Sequence, residues 1–137
     1  METPELVFDH IGYVVDDMEK AIKRWSSNGY KVVIEPTHDS LQKVWCSVLV
    51  DRSGVRIELV SPDGDLGPLS SRLARGGGLD HLCFRTNDLD AALIHEESLG
   101  ALIICPRTYA VTFNEDIAFV LRRTGLLVEL MTSNHDH

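Results

Sequence analysis

The chain has 137 residues, 44% of them hydrophobic, enough for one globular domain with a sizeable core. A formal charge of −8 leaves no basic stripe for phosphates, which excludes a nucleic-acid binder. The longest apolar runs, such as 126–131, are far too short to span a membrane, and the opening METPELVF lacks the charged start and apolar core of a signal peptide.

In chain order, Val7 to Val15 alternates in character and predicts a strand. A helix follows from an Asp cap: Asp16 with Glu19 makes a capping-box pattern, and Met18, Ala21, Ile22 and Trp25 recur at helical spacing. Gly29 closes it in the manner of a left-handed cap. Three strands are expected next, Tyr30 to Glu35, Lys43 to Val50 and Val55 to Val60, with Asp51 to Gly54 as a tight turn between the last two. Residues 62–78 are rich in Gly, Pro and Ser and read as a linker, with a short helical turn around Leu69 to Ala74. The pattern then recurs: a strand from Leu79 to Thr86, and a helix capped by Asn87, carrying Leu89, Ala92 and Leu93 and closed by Gly100. Strands from Ala101 to Cys105, Asp116 to Leu121 and Leu126 to Met131 complete it.

The recurrence is a repeat. FDHIGYVVDDMEKAIKRWSSNGYKVV (8–33) lies over LDHLCFRTNDLDAALIHEESLGALII (79–104) without a gap. Asp9/Asp80, His10/His81, Asp17/Asp88, Ala21/Ala92 and Gly29/Gly100 all pair at an offset of 71. The same offset places DRSGVRIELVS (51–61) on RRTGLLVELMT (122–132), which pairs Arg52/Arg123, Gly54/Gly125, Glu58/Glu129 and Leu59/Leu130. The expected fold class is therefore α+β: one domain of two tandem βαβββ modules, about 6–61 and 79–133, joined by the linker 62–78. Their mixed sheet is expected to curve into a cup with the helices outside.

Alternation makes four residues stand out. Glu58 shares a strand face with Arg56 and Val60, and Glu129 shares one with Leu127 and Met131. Glutamate is depleted from strands and rarely buried without a partner. His10 and His81 sit early in strands among apolar neighbours. Taken singly, a strand histidine is more often a hydrogen-bonded core residue than a ligand, and a strand glutamate a solvated edge. At one repeat offset the four are expected to converge in the cup as ligands of one divalent ion, of a mixed nitrogen and oxygen set that suits Zn, Ni, Co or Mn. Such a site keeps positions open for substrate oxygens. His38, His95, His135 and His137 lack a repeat partner and read as surface residues. Cys46, Cys83 and Cys105, odd in number and without C-x-x-C spacing, read as reduced packing residues of a cytoplasmic protein.

On DHIGYVVDDMEKAI, RIELVSP, LDHLCFRTNDLDAAL and LLVELMTS together, the sequence resembles the vicinal oxygen chelate superfamily, in its glyoxalase I and methylmalonyl-CoA epimerase branch. The resemblance implies metal ligands at His10, Glu58, His81 and Glu129. It also implies proton transfer next to a carbonyl through a metal-bound enediolate, with Glu129 in the proton-transfer role. Epimerases carry a further catalytic glutamate before the third strand, where this chain reads THDSLQK and Asp39 is the nearest carboxylate. An epimerase-like enzyme acting on an acyl thioester or thiol adduct is expected, as a homodimer with one metal per chain. A glyoxalase I (lactoylglutathione lyase)-like activity is the alternative. Arg56, Arg72 and Arg75 are candidates for an anionic group on the substrate. A metal-free binding protein of the bleomycin-resistance type would not need the full ligand set, and a ring-cleaving dioxygenase uses two histidines and one carboxylate.

Overall fold

The computed structural model describes residues 3–64 and 69–133. The chain falls into two compact units, one of His10–Asp80 and the other combining the chain up to Asp9 with the chain from His81 onward.

In the first unit the elements run β1 (Val7–Val14, shared with the other unit at its start), α1 (Met18–Ser26), β2 (Lys31–Asp39), β3 (Val44–Val50), β4 (Arg56–Pro62) and the short α2 (Ser70–Ala74). The strands lie in the order β2-β3-β4-β1, with β1 parallel to β4 and the other neighbours antiparallel. Leu49, Ile57 and Leu59 are fully buried on the face under α1, where Met18, Ala21, Ile22 and Trp25 pack on them. Each such side chain contributes roughly 1.5–3 kcal/mol of burial. The apolar stripe of α1 is thus covered by its own sheet, with Trp25 seated between the rings of Tyr13 and Tyr30. The opposite face buries Val44, Cys46 and Val60.

The second unit repeats this with β5 (Gly78–Thr86, its first residues in the first unit), α3 (Leu89–Ser98), β6 (Leu102–Ala110), β7 (Glu115–Leu121) and β8 (Leu127–Thr132). Its order is β5-β8-β7-β6, with β5 parallel to β8. Val128 and Leu130 face α3, which buries Leu89, Ala92 and Leu93 against them. Glu96 is buried on the same helix and is held by Arg122 at 2.7 and 3.4 Å.

The offset of 71 extends through the stretches where the two copies share no landmark residues. β3 and β7 match end to end, as do β2 and β6. The irregularities match too: pairing slips at Val32/Ile34 and Ile34/Thr37, and again at Ile103/Cys105 and Cys105/Thr108. Lys43 and Asn114, the non-glycine residues with positive φ among the described residues, are likewise 71 apart.

Three expectations need correction. The cap of α1 is Asp17 rather than Asp16: its carboxylate accepts from the Lys20 amide at 3.0 Å. The cap of α3 is Asp88 rather than Asn87, accepting from Ala91. β2 and β6 run on to Asp39 and Ala110, beyond the expected ends at Glu35 and Cys105, because Pro36 and Pro106 sit in the outermost strand of each unit, where a missing amide breaks no ladder.

The turn at Asp51–Gly54 forms as expected. The Asp51 carboxylate accepts from the Ser53 hydroxyl and from the amides of Ser53 and Val55, which holds its pKa below the usual carboxylate value. Gly54 has φ +92° in open space, whereas a Cβ on Gly77, at φ +67°, would lie 2.7 Å from the carbonyl oxygen of Val14. Gly54→Ala is therefore expected to cost only the backbone term, roughly 1–2 kcal/mol, and Gly77→Ala that term plus a backbone clash. Thermal unfolding of the two variants checks this; equal melting temperatures would contradict it.

Candidate functional site

In the first unit, β1 and β4 run side by side with Gly12 opposite Glu58, and strand alternation brings the His10 and Glu58 side chains to one face. His10 is 0% exposed and Glu58 5%, and His10 Nε2 lies 3.3 Å from Glu58 Oε1. In the second unit Cys83 stands opposite Glu129, the equivalent register, and His81 Nε2 lies 3.2 Å from Glu129 Oε1, with both residues 3% exposed. The Phe119 and His81 rings form a T-shaped pair, centroids 5.3 Å apart. Each unit by itself thus brings together the histidine and glutamate singled out in the sequence, and sinks both below the surface.

These spacings suit metal ligation. Two donors bound to one ion at about 2.0–2.2 Å, at tetrahedral or octahedral angles, stand roughly 3.0–3.4 Å apart. The donor types, an imidazole nitrogen and a carboxylate oxygen in each unit, are those of a first-row divalent ion. His10 with Glu58, and His81 with Glu129, are therefore each a donor pair that fits such an ion.

The paired aspartates preceding the histidines have partners of their own. Asp9 is engaged by Arg85, Nε to Oδ1 3.1 Å, and Asp80 by Arg72 at 3.7 Å, while Arg72 also donates to the Leu79 carbonyl at 2.6 Å. Each repeated Asp-His step thus has one side chain tied to an arginine while the next is buried.

Asp39 is buried at the end of β2, and its carboxylate holds the β2–β3 turn. Oδ1 accepts from the amides of Leu41 and Gln42, both at 3.0 Å, and Oδ2 from the Gln42 side chain at 2.7 Å. His38 is exposed, 2.6 Å from Asp63 and packed on Trp45. His95 is partly exposed on α3. His135 and His137 lie outside the described residues.

Two features near these residues had no sequence signal. Glu115, 1% exposed, accepts from the Thr132 hydroxyl at 2.6 Å and joins β7 to β8. Cys105 has its thiol pKa pushed up by burial and then by the negative field of Glu129, which places it in that carboxylate's surroundings. No disulfide forms among the described cysteines, and Cys46 and Cys83 are buried. Among the described residues no helix is long and apolar enough to cross a membrane.

Comparison with known proteins adds the fold's lineage. Residues 9–119 match the model of the Glyoxalase/Bleomycin resistance protein/Dioxygenase superfamily. No curated protein matches the sequence. Among solved structures, the chain is similar to methylmalonyl-CoA epimerase from Mycobacterium tuberculosis, with 24% identity over 96% of this chain and 91% of that one and a TM-score of 0.80. It is also similar to a Streptomyces coelicolor methylmalonyl-CoA epimerase variant in complex with 2-nitronate-propionyl-CoA, with 23% identity, 96% and 100% coverage and a TM-score of 0.82. A methylmalonyl-CoA epimerase in complex with methylmalonyl-CoA and NH4+ gives 24% identity, 94% and 95% coverage and 0.81. At these identities the likeness shows the fold, the α+β arrangement expected from the sequence.

Proposed function

Because the chain belongs to the Glyoxalase/Bleomycin resistance protein/Dioxygenase superfamily, we propose that it is a divalent-metal-dependent isomerase or lyase that moves a proton next to a carbonyl, as an epimerase of acyl thioesters does. The observation that carries this reading is the duplicated, buried His-Glu pair at ligand spacing. The two modules, about 6–61 and 79–133, are taken as one domain in which His10, Glu58, His81 and Glu129 hold a single ion, Zn, Ni, Co or Mn. The methylmalonyl-CoA of the similar epimerases points to a thioester substrate. The protein is taken as a cytoplasmic homodimer, its thiols reduced.

A divalent ion held by these residues would supply Lewis-acid stabilisation of negative charge on a substrate oxygen. Glu129 is the group assigned to carry the transferred proton. Its register partners are Cys83 and Phe119, and Glu129 itself is 3% exposed. A proton held there returns to carbon more readily than it escapes to solvent. The second proton-transfer position of an epimerase would fall to Asp39, but its three hydrogen bonds within the β2–β3 turn favour a holding role.

The test is metal analysis of tag-free protein purified without chelators, followed by assays on methylmalonyl-CoA and on methylglyoxal plus a thiol. About one divalent ion per chain and exchange of the substrate's α-proton with deuterated solvent are expected. Turnover of the methylglyoxal adduct alone would select the glyoxalase-like alternative. Absence of both metal uptake and turnover would leave a ligand-binding protein of the bleomycin-resistance type.

A further inference from the structure

At the offset of 71 the two units part company beside their helices. In the first unit Trp25 of α1 is wedged between the rings of Tyr13 and Tyr30, with centroids 5.1 and 5.0 Å away. The same places in the second unit hold Glu96, Phe84 and Ala101, so the wedge and one of its two flanking rings are gone. Beside the C-terminal half of α3 there is a cavity of about 460 Å³, within the usual size of a small-molecule site. Leu6, Ala92, Leu99 and Ala101 give it apolar walls.

Charge has taken the place of the rings. Glu96 is 4% exposed and both its oxygens meet Arg122, which stands where the first unit has Asp51. A buried ion pair adds little stability over well-packed apolar side chains of similar volume, so packing does not account for the exchange. Arg123 brings a second guanidinium to the lining. Its stem lies across Gly100, where a Cβ would come within 2.5 Å of Arg123 Cδ. Nothing lies within 4 Å of the same point on Gly29, the equivalent glycine, so this placement belongs to the second unit alone. With Glu96 matched by Arg122, Arg123 leaves the lining net positive in a chain whose formal charge is −8.

We propose that this cavity binds a planar aromatic acid, with its ring in the place that Trp25 and Tyr30 fill in the first unit and its carboxylate on Arg123. A ring offers a large, rigid apolar surface, and a guanidinium both stacks on rings and takes a carboxylate through two N–H donors. Every lining residue belongs to the second unit, and none is among His10, Glu58, His81 and Glu129. The proposal therefore stands or falls apart from the proposed function.

Indole-3-propionate, tryptamine and hexanoate are titrated into the full chain while the Ala92 and Ala101 methyl resonances are followed by NMR. Indole-3-propionate is expected to move both resonances and to bind at least ~10-fold more tightly than tryptamine, the same ring with the opposite charge. It should also bind more tightly than hexanoate, which carries the acid without the ring. Ala101→Tyr, which restores the first unit's side chain, should abolish binding, and Arg123→Gln should lower the preference for the acid. Tryptamine or hexanoate binding as tightly as indole-3-propionate, or unmoved Ala92 and Ala101 resonances, overturns the proposal, and this wild-type comparison needs no variant to fold. Methyl shifts that depend on protein concentration before any probe is added would give the cavity to a second copy of the chain and overturn it as well.

Discussion

Replacing Glu129 with glutamine is expected to lower turnover by roughly 10²–10⁴-fold while most of the bound metal remains. Glutamine keeps an oxygen that can ligate but cannot accept and return a proton at neutral pH. Glu58, at the equivalent position 71 residues earlier, is assigned only to ligation, so Glu58→Gln should lower metal content and turnover in parallel. Metal stoichiometry and α-proton exchange measured on the same preparations separate the two. Near-native exchange in a fully loaded Glu129→Gln protein would remove Glu129 from proton transfer.

Metal removal should be felt as strongly in stability as in activity. An ion held at a thousand times its dissociation constant contributes about 4 kcal/mol to the folded state, for a chain of this size a shift on the order of 10 °C in Tm. Removing it also leaves Glu58 and Glu129 in poorly solvated positions with their counter-charge gone. Thermal unfolding before and after verified chelation, with metal added back, measures this. An unchanged Tm after complete removal would show that the site contributes nothing to the fold.

The repeat, the helix closures at Gly29 and Gly100 and the two His-Glu pairs were legible in the sequence because each depends on few residues and local rules. The cap positions were harder. Asp16 and Asp17 stand side by side, and composition cannot say which adopts the extended backbone of a cap, though only Asp17 has an aspartate 71 residues on. The far ends of the outer strands β2 and β6 escaped because two slips in pairing break the period of two and each strand contains a proline. Arg56 and Arg72 stand together in the sequence as candidates for an anionic group on the substrate, and spacing cannot separate them; the fold does, since Asp80 and a carbonyl engage Arg72 while the Nε of Arg56 is buried without a hydrogen-bond partner.

The division of the chain within β1 has a consequence for synthesis. Residues up to Asp9 belong to the compact unit formed by His81 onward, with Phe8 against Phe84 and Asp9 against Arg85. On the ribosome these residues emerge before His10–Asp80 and must wait for partners made more than seventy residues later, while His10–Asp80 has all its own strands at hand. At about 5–20 residues per second the wait is several seconds. Throughout it the leading segment, with Leu6, Val7 and Phe8, is an apolar stretch without its unit, and this is the part of the nascent chain a chaperone would have most reason to hold.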